Sequence, residues 1–177
     1  MKRILPVLLV SLLCLGAVCH ASPLEGVWDF IASLAGGRSE WVVGEDIRFD
    51  DITDFYYTYD ASTNPPFWQR YRFYVEDGRT LFYHETRESD NWPQTEADIT
   101  VCGTLELSDA QADAFHSLLA GGTVRGREEA LDTGDAGPWL YLYWEGDPGD
   151  IQEFSFPSWE RQAAFEDFCE GLRDARG

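Results

Sequence analysis

Lysine is almost missing from this 177-residue chain: one stands at position 2 and nowhere else. All basic residues together number 13 against 32 acidic ones, for a formal net charge of −19 at pH 7. Lys2 and Arg3 sit at the extreme N-terminus, so the remainder is more acidic still. A surface of that sign repels phosphate backbones and anionic headgroups, which argues against nucleic-acid and membrane-surface partners. The plainer use of such charge is to keep a protein dispersed; the sharper is to act as a decoy for a basic partner. Histidine is scarce too, at three residues, and two of them, His84 and His116, read as structural. G-x-S-x-G, H-E-x-x-H and paired C-x-x-C are all absent. His84-Glu85-Thr86-Arg87-Glu88 only brushes the zinc motif, since it lacks the second histidine and falls in a strand. No cofactor and no metal is implied.

What the chain does have begins at its start. Met1-Lys2-Arg3 precedes an apolar run from Ile4 to Val18, which is too short to span a bilayer, and Ala21 offers a small residue for cleavage. This describes a secretory signal over 1–21, followed by one domain over 22–177 that is released rather than inserted in a membrane. The expected destination is secreted or extracytoplasmic. Two cysteines then remain, Cys102 and Cys169. An even count in an exported chain permits a bridge. Cys169, however, lies on an apolar helix face and Cys102 is out of phase with the apolar positions of its strand, which favours free thiols.

Turn chemistry and periodicity predict the elements. Ser22-Pro23-Leu24-Glu25 opens a helix whose stripe is Leu24, Val27, Trp28, Ile31 and Leu34. Trp41–Phe49 and Asp51–Asp60 read as strands. Asp77-Gly78 supplies the two positive φ angles of a type I′ turn, pairing residues whose numbers sum to 155. Phe73 then faces Phe82 and Tyr71 faces His84, while Trp68, Arg70, Arg72 and Tyr74 face Arg87, Glu85, Tyr83 and Leu81 on the other side. Glu88–Asp98 reads as a surface excursion, Ile99–Leu107 as a strand with Gly103 at a bulge or close approach. Ser108 and Gln111 form a capping box for a helix that buries Ala112, Phe115, Leu118 and Leu119. Thr123–Pro138 reads as a long loop. Trp139–Glu145 and Ile151–Phe156 form a second hairpin, with Glu145 opposite Ile151, before a last helix carrying Phe165, Phe168, Cys169 and Leu172. The fold class is α+β: a mostly antiparallel sheet of about seven strands with helices packed against it.

The candidate site follows from strand phase. Trp68, Arg70, Arg72, Tyr74, Tyr83 and Arg87 share one side of the central hairpin, and Trp139, Tyr141 and Tyr143 share the non-core side of the other. Tyr, Trp and Arg offer large rigid area with polar tips and dominate binding hot spots, and aromatic rings stack on sugars. The competing reading makes this side a second core, covered by Val27, Trp28, Ile31 and Leu34 of the first helix. Carboxylates such as Asp50, Asp51 and Asp54 are numerous enough to put some pair at glycosidase spacing. The acidic turns Asp132–Asp135 and Glu145–Asp150 lack the spaced ligand pattern of a calcium loop and read as solvated turns.

The N-terminal segment together with Phe67–Glu76 and Trp139–Trp144 resembles small exported bacterial proteins of no assigned function, and this implies no activity. Gly26-Val27-Trp28 resembles the G-x-W near the start of lipocalins, eight-stranded barrels that carry small apolar ligands. The expected function is a non-enzymatic binding module that recognises an unknown protein or carbohydrate through the aromatic and arginine face. A carboxylate-dependent glycan hydrolase and a lipocalin-like carrier are the alternatives.

Overall fold

Asp77 and Gly78 have φ of 51° and 72°, so the tight reversal predicted from their identities sets the sheet's register. The strands on either side pair Phe73 with Phe82, Tyr71 with His84, Arg70 with Glu85 and Trp68 with Arg87, as expected. The computed structural model describes residues 40–127 and 137–175, all within one unit, Ser39–Gly177. The Ser22–Leu34 helix, the G-x-W segment and the Asp132–Asp135 turn lie outside the described residues.

The strands are β1 (Glu40–Val42), β2 (Ile52–Ala61), β3 (Phe67–Glu76), β4 (Arg79–Arg87), β5 (Ile99–Glu106), β6 (Thr123–Arg127), β7 (Trp139–Trp144) and β8 (Ile151–Ser155). Two helices, α1 (Asp109–Leu119) and α2 (Trp159–Asp174), complete the α+β fold. The sheet has eight strands in the order β1-β6-β8-β7-β2-β3-β4-β5, and every neighbouring pair is antiparallel. β2 to β5 form a meander. The chain then crosses through α1 to the other end of the sheet, where β6 pairs with β1, passes on to β7 beside β2, and fills the gap between β6 and β7 with β8. Among the described residues the sheet is open, with β1 and β5 at its edges, and does not form the closed barrel that the G-x-W resemblance implies.

The extra strand is β6, inside the stretch expected to be loop. Thr123-Val-Arg-Gly-Arg has a single strongly apolar residue, Val124, and that one is fully buried. The rest of its pairing comes from charge in register: Arg125 stands between Glu40 and Glu153, and its Nε donates to Glu40 at 2.7 Å. Alternation of apolar residues cannot reveal a strand built that way. The expected Trp41–Phe49 strand also differs. It stops at Val42, whose N–H is taken by the Asp46 carboxylate at 2.8 Å, and the chain turns through Gly44 at φ 91°. Val43 and Ile47 are both carried into the core by that turn. Gly103 pairs regularly with His84, and the irregularity lies further along the same two strands, at Thr86–Arg87 opposite Val101 and Ile99. In the second hairpin Tyr141 faces Glu153, a slip of two residues from the expected register, so every side chain keeps its face.

One face of the sheet carries the core. Both helices start as their sequences dictate: Ser108 and Gln111 cap α1 reciprocally, and the Ser158 hydroxyl accepts from Arg161 N–H at the start of α2. They press Phe115, Phe165 and Leu172 onto Phe55, Phe73 and Phe82, with the Phe73 and Phe115 rings stacked 4.0 Å apart. His84 is buried on this face against Phe82, and His116 stacks on Phe49, its pKa lowered by burial. No helix among the described residues is long and apolar enough to cross a membrane.

Cys102 and Cys169 are both free thiols. They cannot bridge, because Cys169 is sealed under α2 on the core face while Cys102 pairs with Glu85 and points to the opposite one. Burial raises the Cys169 thiol well above its ordinary pKa. Iodoacetamide should therefore modify Cys102 in the native protein and Cys169 only after unfolding, as read by peptide mapping. A Cys102–Cys169 linked peptide would contradict this arrangement.

Candidate functional site

The face opposite the helices is built from arginines laid over rings. β2 sits between β3 and β7, pairing Tyr56 with Arg72 on one side and with Tyr141 on the other. That placement brings the two predicted clusters onto one continuous surface. Trp68 holds the Arg87 guanidinium at 3.8 Å and the Arg70 guanidinium at 5.0 Å from its ring centre. Arg72 lies 4.9 Å from Tyr56 and 4.6 Å from Tyr74. Such contacts let a guanidinium shed water without losing all its stabilisation.

The three arginines differ in what neutralises them. Arg72 is held bidentately by Asp54, at 3.0 and 2.5 Å, and its pKa is raised by that bond. Asp54 also accepts from the Tyr56 hydroxyl at 3.1 Å. Arg87 donates to Glu85 at 2.6 Å, and the other Glu85 oxygen accepts from Tyr83 at 2.7 Å. Glu85 faces Arg70 across the strands but is thereby committed to Arg87. Arg70 is left with a 3.1 Å hydrogen bond to the Thr58 hydroxyl and, among the described residues, no carboxylate within ion-pair distance. Burial lowers its pKa, against the supporting charge of Glu85.

Beside Arg70 the surface sinks into a cavity of about 340 Å³ lined by Tyr56, Thr58, Asp60, Trp68, Arg70, Trp139, Tyr141 and Tyr143. The Tyr56 and Tyr143 rings meet edge-to-face at 6.2 Å. Burial raises the pKa of both phenols, so both stay neutral through the physiological range. Asp60 is buried and accepts from the Trp92 indole N–H at 3.0 Å.

No protein-family model matches the chain, and neither a curated protein nor a solved structure is similar to it. Function has to be read from the site itself.

Five of the nine predicted site residues line the cavity: Trp68, Arg70, Trp139, Tyr141 and Tyr143. Arg72, Tyr74, Tyr83 and Arg87 share the face but lie outside the cavity. Cover across the face is uneven. Trp68 is 5% exposed, and the Arg87 and Glu85 side chains are nearly as enclosed. Those three support the site, while the half-buried rings of β7 are its open side. The stripe proposed to cover this face, Val27 to Leu34, lies outside the described residues.

Sequence reasoning missed Tyr56, Thr58 and Asp60, which form the floor. Their phase along β2 was legible, but their neighbours were not, since β2 and β7 are more than 80 residues apart in the chain. It also read Glu88–Asp98 as a surface excursion. Within it Gln94 is buried, with its amide donating to Pro66 and Arg87 carbonyls, and Trp92 reaches back to Asp60. Among the described residues no group of acidic, histidine or cysteine side chains is arranged to hold a metal ion. The Glu145–Asp150 turn is a plain reversal in which Asp147 caps Gly149 N–H at 2.7 Å.

Proposed function

We propose that this protein is an exported, non-enzymatic binding module that takes a glycan into the cavity between β3, β2 and β7. One observation carries the reading: aromatic walls and an arginine with no ion pair among the described residues converge on a concavity of ligand size. Sugar rings present apolar C–H faces that stack on Trp and Tyr, and hydroxyls that pair with charged side chains. The cavity has both partners, in Trp139, Tyr141 and Tyr143 on one side and Arg70, Thr58 and Asp60 on the other. Glycoside hydrolysis takes two carboxylates across the scissile bond, and Asp60 is the single carboxylate among the described lining residues. That favours capture over cleavage. Export is supported by the charged start, apolar run and small residue of 1–21.

The test uses residues that do not hold the fold. Trp139→Ala combined with Tyr143→Ala should weaken capture of an immobilised oligosaccharide by about 100-fold or more, as for paired hot-spot rings. The thermal midpoint should fall only as far as ~1–2 kcal/mol allows, since both rings are half-buried. No saturable binding across a broad glycan panel, or loss of binding only alongside unfolding, sinks the proposal.

A further inference from the structure

A second cavity, of about 230 Å³, opens on the other side of the sheet, where β2 and β3 meet the start of α2. Its walls are rings: Tyr57 and Tyr59 from β2, Phe67 and Tyr71 from β3, and Trp159 from the first turn of α2. Two of these rings are unusually open, with Trp159 71% and Phe67 45% exposed. Neither is needed to fill the core.

Carboxylates complete the lining. Glu166 and Glu170 stand one turn apart on α2, and among the described residues neither forms an ion pair with an arginine. Glu166 is oriented from two directions, its Oε1 accepting from the Tyr57 hydroxyl at 2.6 Å and from the Gln162 amide at 3.0 Å. Arg173, whose charge reaches Tyr71, is bonded to Asp174 at 3.1 Å. Tyr71 is 1% exposed, and its buried hydroxyl has no hydrogen-bond partner among the described residues. Gln69 is close enough to influence the ionisation of that hydroxyl but does not meet it in bonding geometry.

Ring faces carry a negative quadrupole, so a cavity walled by them and closed by carboxylates attracts positive charge. For a metal ion the lining offers two carboxylates, and among the described residues no third acidic, histidine or cysteine side chain joins them. An ammonium with N–H groups needs acceptors spread around it, whereas the two carboxylates, Glu166 and Glu170, both lie along α2 and the opposite walls are rings. A methylated ammonium needs none: its charge is spread over methyl groups that pack on rings, and the carboxylates act at longer range. The acidity of the whole chain draws cations toward it.

We propose that this cavity binds a trimethylammonium group, at a site separate from the glycan cavity and independent of it. The ligand can be a free choline-like molecule or the headgroup of a choline lipid; the chemistry recognised is the same. The buried Tyr71 hydroxyl offers a hydrogen bond to an oxygen attached near the cation.

Isothermal titration of the full chain with tetramethylammonium and with choline tests the proposal, with 3,3-dimethylbutanol as the uncharged isostere of choline. Saturable binding of both cations is expected, with the isostere weaker by about tenfold or more. Trp159→Ala and Glu166→Gln should each weaken choline by about tenfold. Trp159→Ala should leave the thermal midpoint unchanged, since that ring is mostly in solvent. Choline binding without sedimentation on phosphatidylcholine vesicles assigns the free ligand, and sedimentation that choline reverses assigns the headgroup. Absence of saturable cation binding, or equal affinity for the uncharged isostere, overturns the proposal. Glycan capture, read in parallel, should be unaffected by Trp159→Ala.

Discussion

Phe55→Ala is expected to remove about 3–5 kcal/mol of stability, the cost of emptying a well-packed phenylalanine site. Phe55 is fully buried at the centre of the sheet, and its ring meets those of Phe154 and Phe165 at 5.3 Å each. It also touches Phe115 at 5.8 Å and Phe73 at 6.4 Å. It therefore joins β2 and β3 to β8 and to both helices, and the surrounding rings are too rigid to collapse into the space it leaves. A domain of this size has about 5–15 kcal/mol in total, so the variant should be close to unfolding at growth temperature. Phe55→Leu, which keeps much of the volume, should cost less than ~1.5 kcal/mol. Urea denaturation with both variants decides the matter. A loss below ~1.5 kcal/mol for the alanine variant would mean that the ring cluster is not one continuous core.

The parts of this arrangement that were legible beforehand are those decided by neighbours in the chain. Asp77-Gly78 dictates its own turn, and the turn dictates which residues of β3 and β4 meet. Ser108 with Gln111 announces a helix start because the two groups satisfy each other's backbone partners within four residues. The phase of Trp139, Tyr141 and Tyr143 survived an error of two residues in hairpin register, since an even slip leaves faces unchanged. What stayed hidden depends on distant pairing. β6 is a strand because Arg125 stands between Glu40 and Glu153, residues from both ends of the chain. The cavity floor exists because β7 returns to lie against β2 after α1 has carried the chain across the sheet, a pairing no local pattern decides. The split between supporting and open residues was likewise beyond sequence. Phase puts Trp68 and Arg72 on one face, but not the difference in cover that buries Trp68 and leaves the Arg72 side chain 36% exposed.

Glu85→Ala should be as damaging as the core substitution, with a loss of about 3–5 kcal/mol, although it lies on the face proposed for binding. The Glu85 side chain is 6% exposed and that of Arg87 11%. Two charges so far from water persist because each is satisfied: Glu85 takes the Arg87 Nε and the Tyr83 hydroxyl, and Arg87 also lies over Trp68 and donates to the Gln94 carbonyl. Removing the carboxylate leaves a desolvated guanidinium above an indole and a phenol without an acceptor. Arg70 also loses the negative charge that counters its own burial. Replacing both partners, as Glu85→Leu with Arg87→Leu, should recover most of the loss, because an apolar pair of similar shape leaves no orphaned charge. Arg70→Gln gives the contrast. It gives up one hydrogen bond to Thr58 and its place over the Trp68 ring but no ion pair among the described residues, so stability should change by ~2 kcal/mol or less while glycan capture falls. Thermal melts of the four proteins separate these roles. If Glu85→Ala costs under ~1 kcal/mol, the Arg87–Glu85 pair is hydrated and exposed, and the division between a buried supporting lattice and an open binding edge fails with it.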